Sequence, residues 1–528
     1  MIKIDNGKFY MTLGEGCYVL RAEKGRVRPV CFGARIEPED DMIALANAFP
    51  FDAPELDEFD GADGFELVSA ETVQKPKCAF PVLRGDKTLK LTFADGNRAL
   101  ERTLYYTPYS RGGIARRTEI KNIGTRSVKV KSLGLSFCLP AGLELITRCG
   151  NNFVLGSVRD NVAYGFCMLY GGEADIEVEP VPGGTVVRYA PRIEEPVTLA
   201  AGESLSSPET LVAYSDCGTD GMSRIFHDLF RELALPQTAH RRRPLVAEVP
   251  FETAEELEKI AAVAAELGCD TLLTDAADDE ALSALAKTCA ALRLRAGLKL
   301  TFDGDTKKLF DLIEKYSIGY LALDTDFDAE YSRAGAIYKL YSELNSCFPE
   351  LAIEGRRGDL GALRYCTTVG CDAADALKYS VYFPPCALAC RFSPASDPLK
   401  ASFDTASLYC LGYVLDGDLG DGVKRAVRAQ VFSYQDDAEL IADGDFYRGA
   451  DFAMSVSKDK SKAYGVYLGG ESAEAIKFCG VDAHNLYHVR ELNKTFSGAA
   501  LCYHGIKSDG LNKGDTVSFH LRQVVDFE

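Results

Sequence analysis

From residue 1 to about residue 215, apolar and polar positions alternate between turn signals. Thr88-Leu-Lys-Leu-Thr-Phe, Ser127-Val-Lys-Val-Lys-Ser-Leu-Gly-Leu-Ser-Phe and Thr185-Val-Val-Arg-Tyr carry the alternation, and Asp95-Gly96 and Gly183-Gly184 punctuate it. A period of two gives each strand one apolar face. Repeated between tight turns, it predicts a large antiparallel β-sandwich. A helical spacing then covers residues 222 to 234, and Arg241–Pro244 marks a boundary.

Beyond that boundary the period switches between strand and helix. Thr253-Ala-Glu-Glu256 is a capping box opening a helix that Gly268 ends. Strands are expected at 271–274, 296–302, 319–323 and 350–353, separated by helices at 280–292, 306–316 and 334–345. These strands end on Asp275, Asp303, Asp324 and Glu354. In a (β/α)8 barrel the C-terminal strand ends form the functional face. Asp is also a common helix N-cap, and Asp275 and Asp303 fit that reading equally well. Gly370-Cys-Asp372-Ala-Ala-Asp375 ends another short apolar run on a carboxylate, and the strands ending at Asp324 and Asp372 are expected to be neighbours. From Phe452-Ala-Met-Ser-Val-Ser through Val517-Ser-Phe-His-Leu the alternation returns, predicting a small C-terminal sandwich. The expected organisation is a β-sandwich domain with a linker helix (1–240), a TIM-type (β/α)8 barrel (241–450) and an antiparallel β-sandwich (451–528).

A length of 528 residues suits several domains, and a net charge of −19 argues against a nucleic-acid partner. Arg241-Arg242-Arg243 reads as linker rather than as a binding patch. No apolar run approaches the ~20 residues of a membrane span, and Met1-Ile-Lys-Ile-Asp-Asn-Gly-Lys has no apolar leader pattern, so a cytoplasmic protein without membrane partners is expected. The 17 cysteines include no Cys-x-x-Cys pair, and the nearest two, Cys386 and Cys390, have no histidine beside them. Free, mostly buried thiols are expected. The six histidines form no metal motif, so neither metal nor other cofactor is expected; a hard-cation site on Asp275, Asp303 and Asp324 is a weaker idea. The chain has no tryptophan, the residue best suited to stack on a sugar face.

Several segments, in order, resemble the α-galactosidases of glycoside hydrolase family 36. They are Ser207-Pro-Glu-Thr leading to Phe226-His-Asp-Leu-Phe-Arg231, then Arg243-Pro-Leu-Val and Phe348-Pro-Glu-Leu-Ala-Ile-Glu-Gly. Ile441-Ala-Asp-Gly-Asp-Phe-Tyr-Arg and Gly480-Val-Asp-Ala-His-Asn-Leu-Tyr complete the set. The resemblance implies a retaining double displacement on α-galactosides. Tyr320-Leu-Ala-Leu-Asp324 stands where the family has Tyr-Ile-Lys-Trp-Asp, which makes Asp324 the implied nucleophile. Cys371-Asp372-Ala-Ala-Asp375 stands where the family has Ser-Asp-(Asp/Asn)-Thr-Asp, which makes Asp372 the implied acid/base. Such a pair of carboxyls lies ~5–5.5 Å apart. Asp275, in place of the family's Asp-Asp-Gly-Trp, and Gly358, in the loop Arg356-Arg357-Gly358-Asp359, are the implied substrate-binding residues. A homo-oligomer is also implied.

The departures are specific. Ala322 and Leu323 replace the family's Lys and Trp, and Leu388-Ala-Cys390 replaces its Gly-Ala-His. Only about 20 residues separate the strands before and at Tyr320, which leaves open whether the barrel is complete. Two readings follow: an active divergent α-galactosidase, or an inactive relative that binds carbohydrate or serves as an assembly partner.

Overall fold

The structure, a computed structural model, describes residues 1–23, 25–35, 64–85, 87–97, 99–236, 243–275, 278–325, 331–396, 398–415, 419–449, 451–469, 475–507 and 514–524. It divides into two compact units. The first comprises Met1–Leu235 with Thr325–Glu343 and Gly358–Tyr365; the second comprises Pro236–Asp324, Leu344–Arg357 and Cys366–Glu528.

The first unit is built on a nine-stranded antiparallel sheet and smaller antiparallel sheets, as the alternation predicts. In Lys87–Asp95 the alternating Leu89, Leu91 and Phe93 are fully buried. Gly113–Asn122 is buried on both faces, and Arg116 is enclosed there. Its guanidinium lies 4.3 Å from the Phe137 ring centroid and 4.8 Å from that of Tyr106, and it donates to the Ser136 carbonyl at 2.6 Å. The alternating run from Ser127 to Phe137 forms two strands in different sheets, Val128–Val130 and Leu135–Leu139. Between them the Gly134 carbonyl takes a hydrogen bond from buried Arg102 at 2.9 Å instead of a ladder partner. The helix Gly218–Leu233 packs Met222 and Phe226 so closely on Gly165 that any side chain there would collide with them.

The second unit contains a closed barrel of parallel strands in sequence order. They are β1 (Val246–Glu248), β2 (Thr271–Thr274), β3 (Arg295–Thr301), β4 (Tyr320–Asp324), β5 (Ala352–Gly355), β6 (Thr368–Cys371), β7 (Leu388–Phe392) and β8 (Cys410–Val414). The connecting helices are α1 (Ala254–Leu267), α2 (Asp279–Leu292), α3 (Thr306–Lys315), α4 (Tyr331–Cys347), α5 (Ala373–Tyr379), α6 (Leu399–Ala406) and α7 (Asp421–Asp443). The short link that left closure open holds one complete helix, α3, and that is enough for a parallel crossover.

The expected caps of α1 are present. Thr253 accepts from the Glu256 N–H, the Glu256 carboxylate accepts from Glu252, and Gly268 takes φ +90°. Inside the barrel, Val246, Leu273, Tyr320, Ala322 and Ala352 pack together. A six-stranded antiparallel sheet and a two-stranded one follow the barrel around a core that includes Phe452, Phe478 and Phe519. Among the described residues no helix is long and apolar enough to cross a membrane. The cysteines are free and most are buried.

Candidate functional site at the barrel mouth

Strand periodicity decides what reaches the mouth. Along β4, Tyr320 and Ala322 pack in the barrel interior, so Asp324, next on the same face, points inward at the strand end. Leu273 puts Asp275 on the inward parity of β2. A side chain at Gly370 would meet the interior Glu354 carboxylate, which puts Asp372 on the inward parity of β6. All three aspartates are exposed.

Asp324 and Asp372 do not end neighbouring strands, contrary to expectation, because β5 separates β4 from β6. The strand expected at 350–353 is present as β5, and closure in chain order sets it between the other two. The arrangement remains consistent with convergence, since alternate strands supply one layer of a barrel interior. Asp275, Asp324 and Asp372 come from strands two, four and six.

The odd strands supply a different layer. Arg391 on β7 grips Glu354 on β5 with two hydrogen bonds of 2.7 Å, and its Nε donates to Glu248 on β1 at 2.9 Å. Lys299 on β3 donates to the other Glu248 oxygen at 2.6 Å, and Tyr320 donates to Glu354 at 2.5 Å. Lys299 and Glu354 are the register partners of Ala322 on its two sides, so Asp324 stands one inward position, roughly 7 Å, beyond this layer. Burial alone would raise the Glu354 pKa, but the Arg391 charge and hydrogen bonds outweigh it and hold the carboxyl below its ordinary value. Burial next to that carboxylate pushes the Tyr320 phenol well up. The network is therefore an ionised, bidentate floor to the mouth. Gly412 makes room for it, since a Cβ there would lie 2.6 Å from Arg391 Cγ.

Arg357, just past β5, donates through one nitrogen to Asp372 and through another to Asp375. Its guanidinium lies 5.5 Å from the Tyr379 ring centroid. Arg357 is partly exposed, and although its slight burial works against the charge, Tyr379 and Asp372 raise its pKa. Asp372 occupies the N-cap position of α5 without making a side-chain cap bond. The cap reading of the other acids does not hold. Asp278 caps α2 and Asp305 caps α3. Asp303 instead accepts from the Asp305 N–H and from Lys308. The cation site on Asp275, Asp303 and Asp324 is likewise not formed, because Asp303 is turned to Lys308. Among the described residues no acidic, cysteine or histidine group is arranged to hold a metal. Neither Asp275 nor Asp324 has an ion-pair partner among the described residues. Gly358 adopts φ +80° and lies in the first compact unit.

Lys299, Arg391 and Glu248 escaped the linear reading. The available signal was a charged residue two positions from a small apolar one within an apolar strand, as Arg391 is from Ala389.

No family model matches the chain. It is 25% identical to the α-galactosidase AgaA of Geobacillus stearothermophilus over 580 residues, covering 80% of this chain and 79% of that protein. It is 24% identical over 524 residues to the bifunctional α-galactosidase/sucrose kinase AgaSK of Mediterraneibacter gnavus, covering 78% of this chain and 54% of that one. Among solved structures, the galactosidase domain of AgaSK superposes with a TM-score of 0.84 at 18% identity, covering 99% of this chain and 100% of that one. A structure of AgaA in complex with raffinose gives 0.83 at 20% identity, covering 98% and 100%. In sequence and fold the chain is thus similar to the α-galactosidases of family 36.

Proposed function

We propose that the protein is a glycoside hydrolase acting on α-galactosides by a retaining double displacement, with Asp324 as nucleophile and Asp372 as general acid/base. The observation that carries this reading is the pair of inward aspartates at the ends of β4 and β6, in a chain similar along most of its length to α-galactosidases. In the first step a carboxylate oxygen of Asp324 bonds to the anomeric carbon as the bond to the leaving oxygen breaks. Asp372 gives that oxygen a proton. Water then attacks the glycosyl-enzyme, Asp372 takes its proton, and Asp324 departs.

Asp275 is the proposed substrate-binding group of the barrel mouth. The excess of carboxylates at the mouth suits a neutral sugar whose transition state carries positive charge. Arg357 bears directly on the chemistry. It donates to one oxygen of the Asp372 carboxylate and so competes with the proton that the acid role needs there.

The test is hydrolysis of an aryl α-galactoside, with the first-formed sugar anomer read by NMR. Turnover that releases the α-anomer and disappears in Asp324→Asn supports the proposal. Absence of turnover in the folded protein overturns it in favour of an inactive carbohydrate-binding relative.

A further inference from the structure

We propose that the groove between α7 and the C-terminal sheet is a second carbohydrate-binding site that takes a neutral oligosaccharide. The groove encloses about 660 Å³, within the range of ordinary ligand pockets. One wall is acidic and comes from α7, with Asp436 and Glu439 beside Leu440. The other comes from the sheet and its turn, with Lys462, His488, Arg490 and Arg522, and with the Asp459 carboxylate, which Ser457 and Ser461 already hold. Leu521 and Ala463 supply apolar lining.

Charge complementarity selects the ligand class. Carboxylates on one side repel anions and cations on the other repel cations, and the opposed walls leave little net field. A polyol meets both walls: its hydroxyls donate to the carboxylates and accept from the ammonium, imidazole and guanidinium groups. The groups are available for this. Among the described residues Asp436, Glu439, Lys462, His488 and Arg522 have no side-chain hydrogen bond or ion pair. An aromatic platform lies on the same helix stripe. Phe432, Asp436, Leu440 and Asp443 recur at helical spacing on one face of α7, and the Phe432 side chain is 68% exposed. Phe432 stands one turn before the lining residue Asp436 on that stripe, and an exposed ring suits the apolar face of a sugar.

The groove is also preorganised. His520 on the strand Val517–Gln523 lies between Asp437 of α7, at 2.8 Å from Nε2, and Glu491, at 2.6 Å from Nδ1. Its ring packs on Tyr464 with centroids 4.8 Å apart. The clamp fixes the two walls relative to each other, so binding loses little to ordering.

The test uses full-length Asp324→Asn protein, to prevent turnover, and stachyose as a neutral tetrasaccharide probe, with galactose in excess to fill the barrel mouth. Calorimetry should still record stachyose binding. Phe432→Ala and His488→Ala should each weaken it by roughly tenfold, with unchanged circular dichroism. The same two substitutions in otherwise native protein should leave hydrolysis of a small aryl α-galactoside unchanged. Binding that galactose abolishes, binding indifferent to both groove variants, or no binding at millimolar stachyose overturns the proposal. Failure of the barrel chemistry would not, because groove binding is read in a protein without turnover.

Discussion

Arg357 donates to Asp372, and the two groups are 39% and 72% exposed. An ion pair so open to water is worth only ~0–1 kcal/mol, enough to restrain the carboxylate but not to immobilise it. Arg357→Gln should therefore raise kcat/KM by up to roughly fivefold on galactosides with poor leaving groups, which need the acid most. Substrates with nitrophenol leaving groups should respond less. A fall in activity on both would show that Arg357 orients Asp372 rather than competing for it.

Replacing Asp372 itself should discriminate in the same way. Asp372→Asn is expected to cost roughly 10²–10⁴-fold on alkyl galactosides and much less on nitrophenyl galactosides. Steady-state kinetics across leaving groups reads the slope. Equal losses on both would remove Asp372 from the acid role.

Beneath the mouth, Arg391 and Glu354 form a nearly buried pair with two hydrogen bonds. Arg391→Met leaves the Glu354 carboxylate buried without its cation and should destabilise the fold by ~3–5 kcal/mol in urea unfolding. Adding Glu354→Gln should recover most of that loss, because an amide needs no counter-charge. If Arg391→Met were neutral, the network would not be a structural floor.

Gly412→Ala should fail locally. The new Cβ would lie 2.9 Å from the Val246 carbonyl oxygen and 2.6 Å from Arg391 Cγ. Overpacking of this kind costs ~1–3 kcal/mol, read as a lowered thermal midpoint.

The His520 clamp gives a pH window. Burial alone would lower the imidazole pKa, but the hydrogen bonds that its ring N–H groups donate to Asp437 and Glu491 raise it above its ordinary 6.5. Its contribution is thus full below pH 6.5 and is lost as pH rises through the raised folded value. For Glu491, burial works upward but the His520 bond prevails, and the pKa falls below 4.5. That contribution is full above pH 4.5 and is lost as pH falls through the lowered value. Between these limits both operate. The difference in thermal midpoint between the native protein and His520→Gln should be greatest there and shrink on either side; a flat difference would exclude the clamp.

Much of this was legible along the chain. Period-two alternation marked the sandwich, the Thr253 box and Gly268 bounded α1, and the apolar run ending on a carboxylate pointed to Asp324. These features are local: a few consecutive residues decide them through backbone geometry and side-chain direction. The functional floor was not legible. Arg391 meets Glu354 and Glu248 from 37 and 143 positions away, and Arg357 reaches Asp372 from 15. The strand at 350–353 was legible, but ring closure in chain order is what sets it, as β5, between the strands that end at Asp324 and Asp372. The sequence by itself determined the order of antiparallel sheets, parallel barrel and antiparallel sheet, and the acids at the strand ends. Only the tertiary structure decided which of those acids are held by a cation and which stand open, because that depends on closing eight strands into one ring. Closure sums many weak contacts, and none of them is written in any single stretch of residues.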